Sequence, residues 1–377
     1  MSRYFLFSAV LSLAVGSLLG LYLALGFGGL VSINNFPRLL ECHSVLQVHG
    51  FMVMLILGVA LMVLPKFLEV PLALPKLALL TWALLNASVL ITLLARPSLP
   101  TRYLELTAIV AFLAVLRRTR ASASYQEPDP HERRINRLHA GFMACGAVWL
   151  LLSVTAPFGR SSQELILWGF ASMYVAGIGL RVHPEILGYR VGSVSPMAWS
   201  LLLWNLGLAL EFGGWAVGRT VTCVGISLYL LGLHPFRRPS FAPVSTVELR
   251  AFLRIAYAWL ATAVTATLLA PRLDYLALNP AILHLLTSGF LLTMVMGMAF
   301  ELTSTHGGLL MPPTKLVRSI LMFLTLGGLL RFLGHAGAYT CLFTLGATCQ
   351  VLASLLFSLT LGFSLLRSRH TRAVTYS

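Results

Sequence analysis

The chain reads as an all-α, polytopic membrane protein of about twelve transmembrane helices, with both termini in the cytoplasm. Composition is the first observation. Of 377 residues, 58% are hydrophobic and only 10% are charged, whereas soluble domains carry about 25% charged residues. The second is that the apolar residues come in long runs, most at or above the ~17 residues that crossing about 30 Å of hydrocarbon requires. Barrel strands would be shorter and would alternate in polarity. The third is where the basic residues sit. With the N-terminus inside, only Arg38, Arg96, Arg102, Arg160, Arg219, Arg272 and Arg331 of the 27 Lys and Arg fall outside, the asymmetry that the positive-inside rule describes. The net charge of +15 therefore reports topology. It makes the lipid bilayer the partner and argues against nucleic acid.

The run 4–31 is too long for a cleaved secretory signal and is expected to stay as an anchor. Runs 43–65, 73–95 and 101–117 complete a front group, 4–117, that ends at Arg117-Arg118. Residues 118–137 hold Ser-Ala-Ser and Glu-Pro-Asp-Pro and read as a cytoplasmic loop, the seam before a back group, 138–366. That group comprises 138–156, 162–181, 197–217, 219–234, 248–270, 280–301, 315–335 and 340–366; its third and fourth runs are the least sharply separated. A basic tail, 367–377, follows. No soluble domain fits, so 1–377 is expected to be one transmembrane domain without a short-period repeat. The five cysteines include no C-x-x-C and read as small buried hydrophobes.

Ten histidines are present, most at run ends. The expected topology puts His43, His49, His284 and His335 near the outer face and His139, His183, His234 and His306 near the inner one. His131 and His370 read as solvated loop residues. Ionisable groups at membrane depth are costly unless paired or coordinated, and histidine is the commonest metal ligand and a common axial ligand of haem. The plainer reading is an imidazole reaching the headgroups. In run 43–65, His43, Gln47, Gly50, Met54 and Gly58 share one helical face. Its glycines would admit a flat macrocycle or another helix, and His49 lies off that face. In run 280–301 and just beyond it, His284 and His306 are 22 residues apart, within ~40° of one face but about 33 Å apart along the axis, so they belong to separate sites. Met52, Met54, Met294, Met296 and Met298 would suit Cu(I), though packing is their commoner use.

At these residues the chain resembles the NnrS family, bacterial membrane proteins that bind haem and copper and are linked to nitric oxide stress. His284, Gly289, Met294, Gly297-Met298 and His306-Gly-Gly keep the spacing of that family's tenth-helix motif. His43, Gly50-Phe51 and Pro65 keep that of its second helix, and Gly179-Leu-Arg181-Val-His183-Pro184 looks like its sixth-helix Gly-Gly-Arg-Val-Ile-Pro. The departures are Val45 in place of a second histidine, Glu301 in place of an arginine, and Gly308-Leu309-Leu310 in place of Thr-Gly-Arg. The second helix is also similar to that of haem–copper oxidase subunit I, which implies an oxidase-like helix arrangement; His183-Pro184-Glu185 echoes its copper-site triplet, but the other copper ligands are missing.

The resemblance implies a bacterial inner-membrane protein carrying haem b, with copper as a further metal, and a role in the nitrosative stress response or in membrane redox chemistry. Nitric oxide is the implied gaseous ligand. His43 and His284 would be axial ligands near the outer face, with His49 or His335 as supporting or substitute ligand. His306 with His183, His139 or His234 would make an inner site, and Arg181 would meet a haem propionate or Glu301. Glu41, beside His43, would orient the imidazole or remain a solvated carboxylate. The alternative function is a metal-free proton-coupled transporter or channel lined by Asn86, Asn205, Glu105, Glu211 and Glu301, weakened because those carboxylates lie toward run ends. A metal-free assembly protein has no positive support. No residue pattern names a substrate or a redox partner.

Overall fold

The computed structural model describes residues 2–122, 129–156, 160–191, 193–243, 245–270, 278–305 and 312–374. Among them are twelve main helices: α1 (Ser2–Phe27), α2 (Phe36–Phe67), α3 (Pro75–Ala95), α4 (Leu99–Ala121), α5 (Pro130–Thr155), α6 (Ser162–Leu187), α7 (Ser195–Phe212), α8 (Val217–Leu233), α9 (Val247–Leu269), α10 (Pro280–Leu302), α11 (Thr314–Ala336) and α12 (Thr340–Arg367). Ten are long and apolar enough to cross a membrane, α7 and α8 being the other two. The twelve expected runs are thus twelve helices of a multi-pass membrane protein.

Local chemistry sets the helix ends more sharply than hydropathy does. Helix α2 begins seven residues before His43, because Pro37 occupies its first turn after Asn35. Helix α4 starts on a capping box in which Ser98 and Thr101 satisfy each other's backbone. Helix α5 starts inside the expected loop, since Asp129 accepts from the His131 backbone N–H and Pro130 follows it. The α7–α8 turn comes earlier than expected, at Gly213-Gly214, where Gly214 has φ 85°, a conformation that favours glycine. The last helix continues past Arg367 to Val374.

The residues group into two compact units. One holds Met1–Gln126, Met298–Phe323 and Thr344–Ser377; the other holds Glu127–Gly297 and Leu324–Phe343.

A long-period repeat, unrecognised in the sequence, organises the helices in sets of four. The second helix of each set is the most buried, at 67%, 83% and 78% for α2, α6 and α10 against 50% or less for the other candidate spans. Each of the three also contains a π-wound turn, at Leu46–Val53, Leu165–Ala171 and Leu285–Leu292. The three turns carry one pattern, a Leu, then Gly-Phe, then a second Gly eight residues after the first: Leu46, Gly50-Phe51, Gly58; Leu165, Gly169-Phe170, Gly177; Leu285, Gly289-Phe290, Gly297.

Each glycine pair is met by the preceding helix in the same register. A methyl group added at Gly58, Gly177 or Gly297 would stand 2.6, 3.1 or 2.6 Å from the Cβ of Phe5, Phe142 or Phe252. Seven residues further along α1, α5 and α9, Ser12, Trp149 and Trp259 fill the space over Gly50, Gly169 and Gly289 at 2.7–3.0 Å. Small residues let helices approach closely where lipid offers no hydrophobic drive for association. Ser172 and Thr293 return their hydroxyls to the carbonyls five residues back, Leu167 at 2.7 Å and Ser288 at 3.3 Å. The π winding therefore leaves these carbonyls satisfied.

Glycine-to-valine substitution at Gly58, Gly177 or Gly297 is expected to cost about 1–3 kcal/mol by overpacking. Gly362→Val, at a site where no atom beyond its own stretch of helix lies within 4 Å of an added Cβ among the described residues, should cost much less. Unfolding of detergent-solubilised variants would measure the contrast.

Candidate functional site

In the first unit, the stripe expected on α2 faces α1. His43 Nδ1 lies 2.8 Å from the Gly16 carbonyl, and a methyl at Gly20 would stand 2.6 Å from the imidazole Cε1. Gln47 Nε2 donates to Ser17 Oγ at 3.2 Å, while Gly50 and Gly58 receive Ser12 and Phe5. A second helix thus occupies the glycine face, one of the two partners it was expected to admit. Glu41 is held by Arg38 at 2.7 Å. The same guanidinium donates to the Thr92 and Leu93 carbonyls at the end of α3, so Glu41 belongs to a helix-end clasp.

His49 points to a different neighbour. Its Nδ1 lies 2.6 Å from Glu105 Oε1 on α4, both side chains being almost fully buried. The two histidines of α2 are thus divided between α1 and α4, with the π turn between or at them.

In the second unit, His183 is 1% exposed and its Nδ1 lies 2.6 Å from the Tyr257 hydroxyl. Tyr257 in turn is 3.3 Å from the Tyr229 hydroxyl, and Tyr229 donates to the Ala176 carbonyl at 2.9 Å. Proton counting fixes the polarity of this chain. A carbonyl only accepts, so it takes the single proton of Tyr229. The contact between the tyrosines then uses the proton of Tyr257, and His183 Nδ1 must be the donor to Tyr257. Gly179 leaves room for all three groups, since a methyl there would lie 2.7–2.8 Å from each.

Two other histidines are held through Nδ1 as well. His139 Nδ1 bonds the Gly177 carbonyl at 2.8 Å, and His284 Nδ1 bonds the Pro280 carbonyl at 2.7 Å. Since carbonyls and carboxylates accept, His43, His49, His139, His183 and His284 all carry the proton on Nδ1 and direct the lone pair to Nε2 when neutral. That is the orientation in which a histidine ligates metal, its other nitrogen held by a hydrogen bond. His131, expected in the loop, bonds the Val191 carbonyl through Nε2 instead, at 3.2 Å. The rings of His284 and His335 lie 6.2 Å apart, and His335 packs edge-on to Phe343, over which Arg331 also sits.

Arg181 Nη1 donates to Asn136 on α5 at 3.1 Å. His306 lies outside the described residues, as do its Gly-Gly neighbours. The phase relation between His284 and His306 assumed unbroken α-winding, and the π turn at Leu285–Leu292 removes that assumption. Among the described residues, no three His, Cys, Asp or Glu side chains converge as a metal cluster. Of the polar groups expected to line a pathway, Glu105 is bonded to His49, Glu211 is bonded to Arg219, which also holds Glu164 at 2.8 Å, and Asn205 accepts from Trp149 at 2.8 Å.

A family model described as NnrS protein matches residues 3–369. The chain belongs to the NnrS family. No curated protein matches it. Among solved structures, a haem–copper terminal oxidase dimer determined by cryo-EM aligns with a TM-score of 0.63 at 11% identity, covering 97% of this NnrS chain and 84% of the oxidase chain. At that identity the likeness shows the fold, and the chemistry must be argued from the residues. Tyr257, Tyr229 and the pairing of Glu105 with His49 were missed in the sequence. The available signal was polar groups inside apolar helices, which require partners.

Tyr257→Phe removes a link from a buried chain and is expected to cost about 1–3 kcal/mol. The double variant with Tyr229→Phe should cost less than the sum of the two, because the groups act as one network. Unfolding in mixed micelles would measure both.

Proposed function

We propose that this NnrS protein is a haem-binding inner-membrane protein, with His43 and His284 as iron ligands and copper as a further metal. Its expected setting is redox chemistry or the handling of nitric oxide under nitrosative stress. The reading is carried by the shared orientation of five membrane histidines, His43, His49, His139, His183 and His284, each held through Nδ1. His43 and His284, like His139, are anchored by a backbone carbonyl and only partly buried, with Nε2 the nitrogen offered to a metal; the spacing of the family motifs is what favours His43 and His284 as the haem ligands. A carbonyl acceptor at Nδ1 fixes the ring and strengthens its donor nitrogen.

Haem bound by two histidines supplies one-electron transfer, and an open position would admit a small gaseous ligand. The protein's own part is to hold each imidazole in one tautomer and one rotamer. Arg181, tied to Asn136, is the proposed partner for a propionate. His183 and His306 remain the proposed ligands of a separate metal. The basic asymmetry of the loops supports both termini on the cytoplasmic side. The transporter alternative loses two of its three carboxylates, since Glu105 and Glu211 are bonded to His49 and Arg219.

The purified protein in detergent is expected to show a b-type spectrum, oxidised and dithionite-reduced, with a matching pyridine haemochrome. His43→Ala and His284→Ala should each abolish or strongly reduce it, and Arg181→Ala should lower haem retention. A folded but colourless wild-type protein, produced with haem supplied, would overturn the haem assignment.

A further inference from the structure

In the second unit, the connection from α8 to α9 is basic and is strapped against the end of α6. Three prolines, Pro235, Pro239 and Pro243, restrict its backbone. Gly188 ends α6 with φ 80°, and a methyl there would meet the Phe241 carbonyl and the Pro243 and Pro239 side chains at 2.7–3.1 Å. The Gly188 carbonyl accepts the backbone N–H groups of Ser240 and Phe241 at 2.7 and 3.1 Å, and the Ser240 hydroxyl at 3.3 Å. Ser245 donates its hydroxyl to the Ile186 carbonyl at 2.9 Å, and Arg250 Nη1 donates to the Ser245 carbonyl at 2.8 Å. The strap therefore presents its side chains from a held backbone.

Two arginines meet beside it. Arg237 is exposed on the strap, and Arg254 comes from α9. Arg254 Nη2 donates to the Arg237 carbonyl at 3.5 Å, while its Nε is buried with no hydrogen-bond partner among the described residues. Tyr189, 1% exposed, donates to the Leu233 carbonyl at 2.6 Å. Burial raises this phenol above its ordinary range, and the charges of Arg254 and Arg237 pull against the rise, so both arginines act on one spot. Among the described residues, the ion pairs that form join other groups, and no carboxylate holds Arg237 or Arg254. A buried donor without an acceptor is costly, and a phosphate accepts several guanidinium N–H bonds at once.

The strap also exposes apolar rings. Phe236 and Phe241, on either side of Arg237 and Arg238 in the sequence, are 57% and 40% exposed. A free phosphate would leave these rings in water, whereas a phospholipid brings acyl chains to them beside its headgroup. We propose that Arg237 and Arg254 form a site for the phosphate of an anionic phospholipid, with Phe236 and Phe241 against its acyl chains. Basic pockets between membrane helices hold such headgroups. A choline headgroup would bring its own cation towards the two arginines, so the site selects phosphatidylglycerol over phosphatidylcholine. It uses none of the proposed haem ligands and stands whether or not the haem reading does.

The test is native mass spectrometry of the full-length protein in detergent, with equal amounts of phosphatidylglycerol and phosphatidylcholine added. Wild type should retain phosphatidylglycerol in preference, and that preference should fall roughly fivefold for each guanidinium removed, in Arg237→Gln and in Arg254→Gln. Arg118→Gln with Arg120→Gln removes two exposed charges at the end of α4 and should leave the preference unchanged. If Arg254→Gln fails to fold, Arg237→Gln, at an exposed position, decides. Equal retention of both lipids by wild type, an unchanged preference in folded Arg237→Gln, or an equal loss in the Arg118 and Arg120 variant overturns the site. Displacement of the lipid by an equimolar amount of inorganic phosphate assigns the arginines to a free anion and overturns the lipid.

Discussion

The close approach of helices at paired glycines is the constraint on which the rest of this fold depends. Helices in lipid gain little from burying apolar surface against one another, so association must come from surfaces that fit. Here Phe5, Phe142 and Phe252 lie against Gly58, Gly177 and Gly297, and the residue seven positions later covers the partner glycine. The same contact sets the register of α1 on α2, α5 on α6 and α9 on α10. That register brings the Gly16 carbonyl to His43 and places His139 opposite the Gly177 carbonyl. The imidazoles are oriented as a by-product of backbone packing.

Many polar groups inside these helices are placed in closed arrangements, although Ser200, Thr222 and Trp259 bury a polar atom with no hydrogen-bond partner among the described residues. Serines and threonines return their hydroxyls to carbonyls on their own helices, as Thr81 does to Leu77 and Thr119 to Val115. Larger groups are settled in sets, such as Tyr229 with Tyr257 and His183, or Arg219 with Glu164 and Glu211. In a low-dielectric interior a partly satisfied set is costly, so each tends to change as a unit.

Much of the fold was legible in the sequence because apolar run length is a strong signal in membrane proteins. The stripe from His43 to Gly58 was also legible, since glycine and polar residues at helical spacing mark a contact face. The π turns were not, because winding by one extra residue leaves no mark in composition. The repeat was hidden for a related reason: only a few positions in each set of four helices are constrained. Glu105 does lie toward the start of α4, but run position did not reveal that it is buried against His49. Tyr229 and Tyr257 passed for packing aromatics, since a hydroxyl inside an apolar run does not reveal its partner.

The short pair α7 and α8 bears on how the chain is made. At 18 and 17 residues, joined by a turn at two glycines, each is a weak segment for a translocation channel to release into lipid on its own. Glycines on both, Gly207 against Thr222 and Gly225 against the Trp204 backbone, press the two main chains together, and Arg219 neutralises Glu211 across the turn. A hairpin that hides its own charges and peptide dipoles can partition sideways as one object where its halves would stall. Entering lipid together, the two helices would carry Arg219 and Glu211 as one neutral pair rather than as two separate charges.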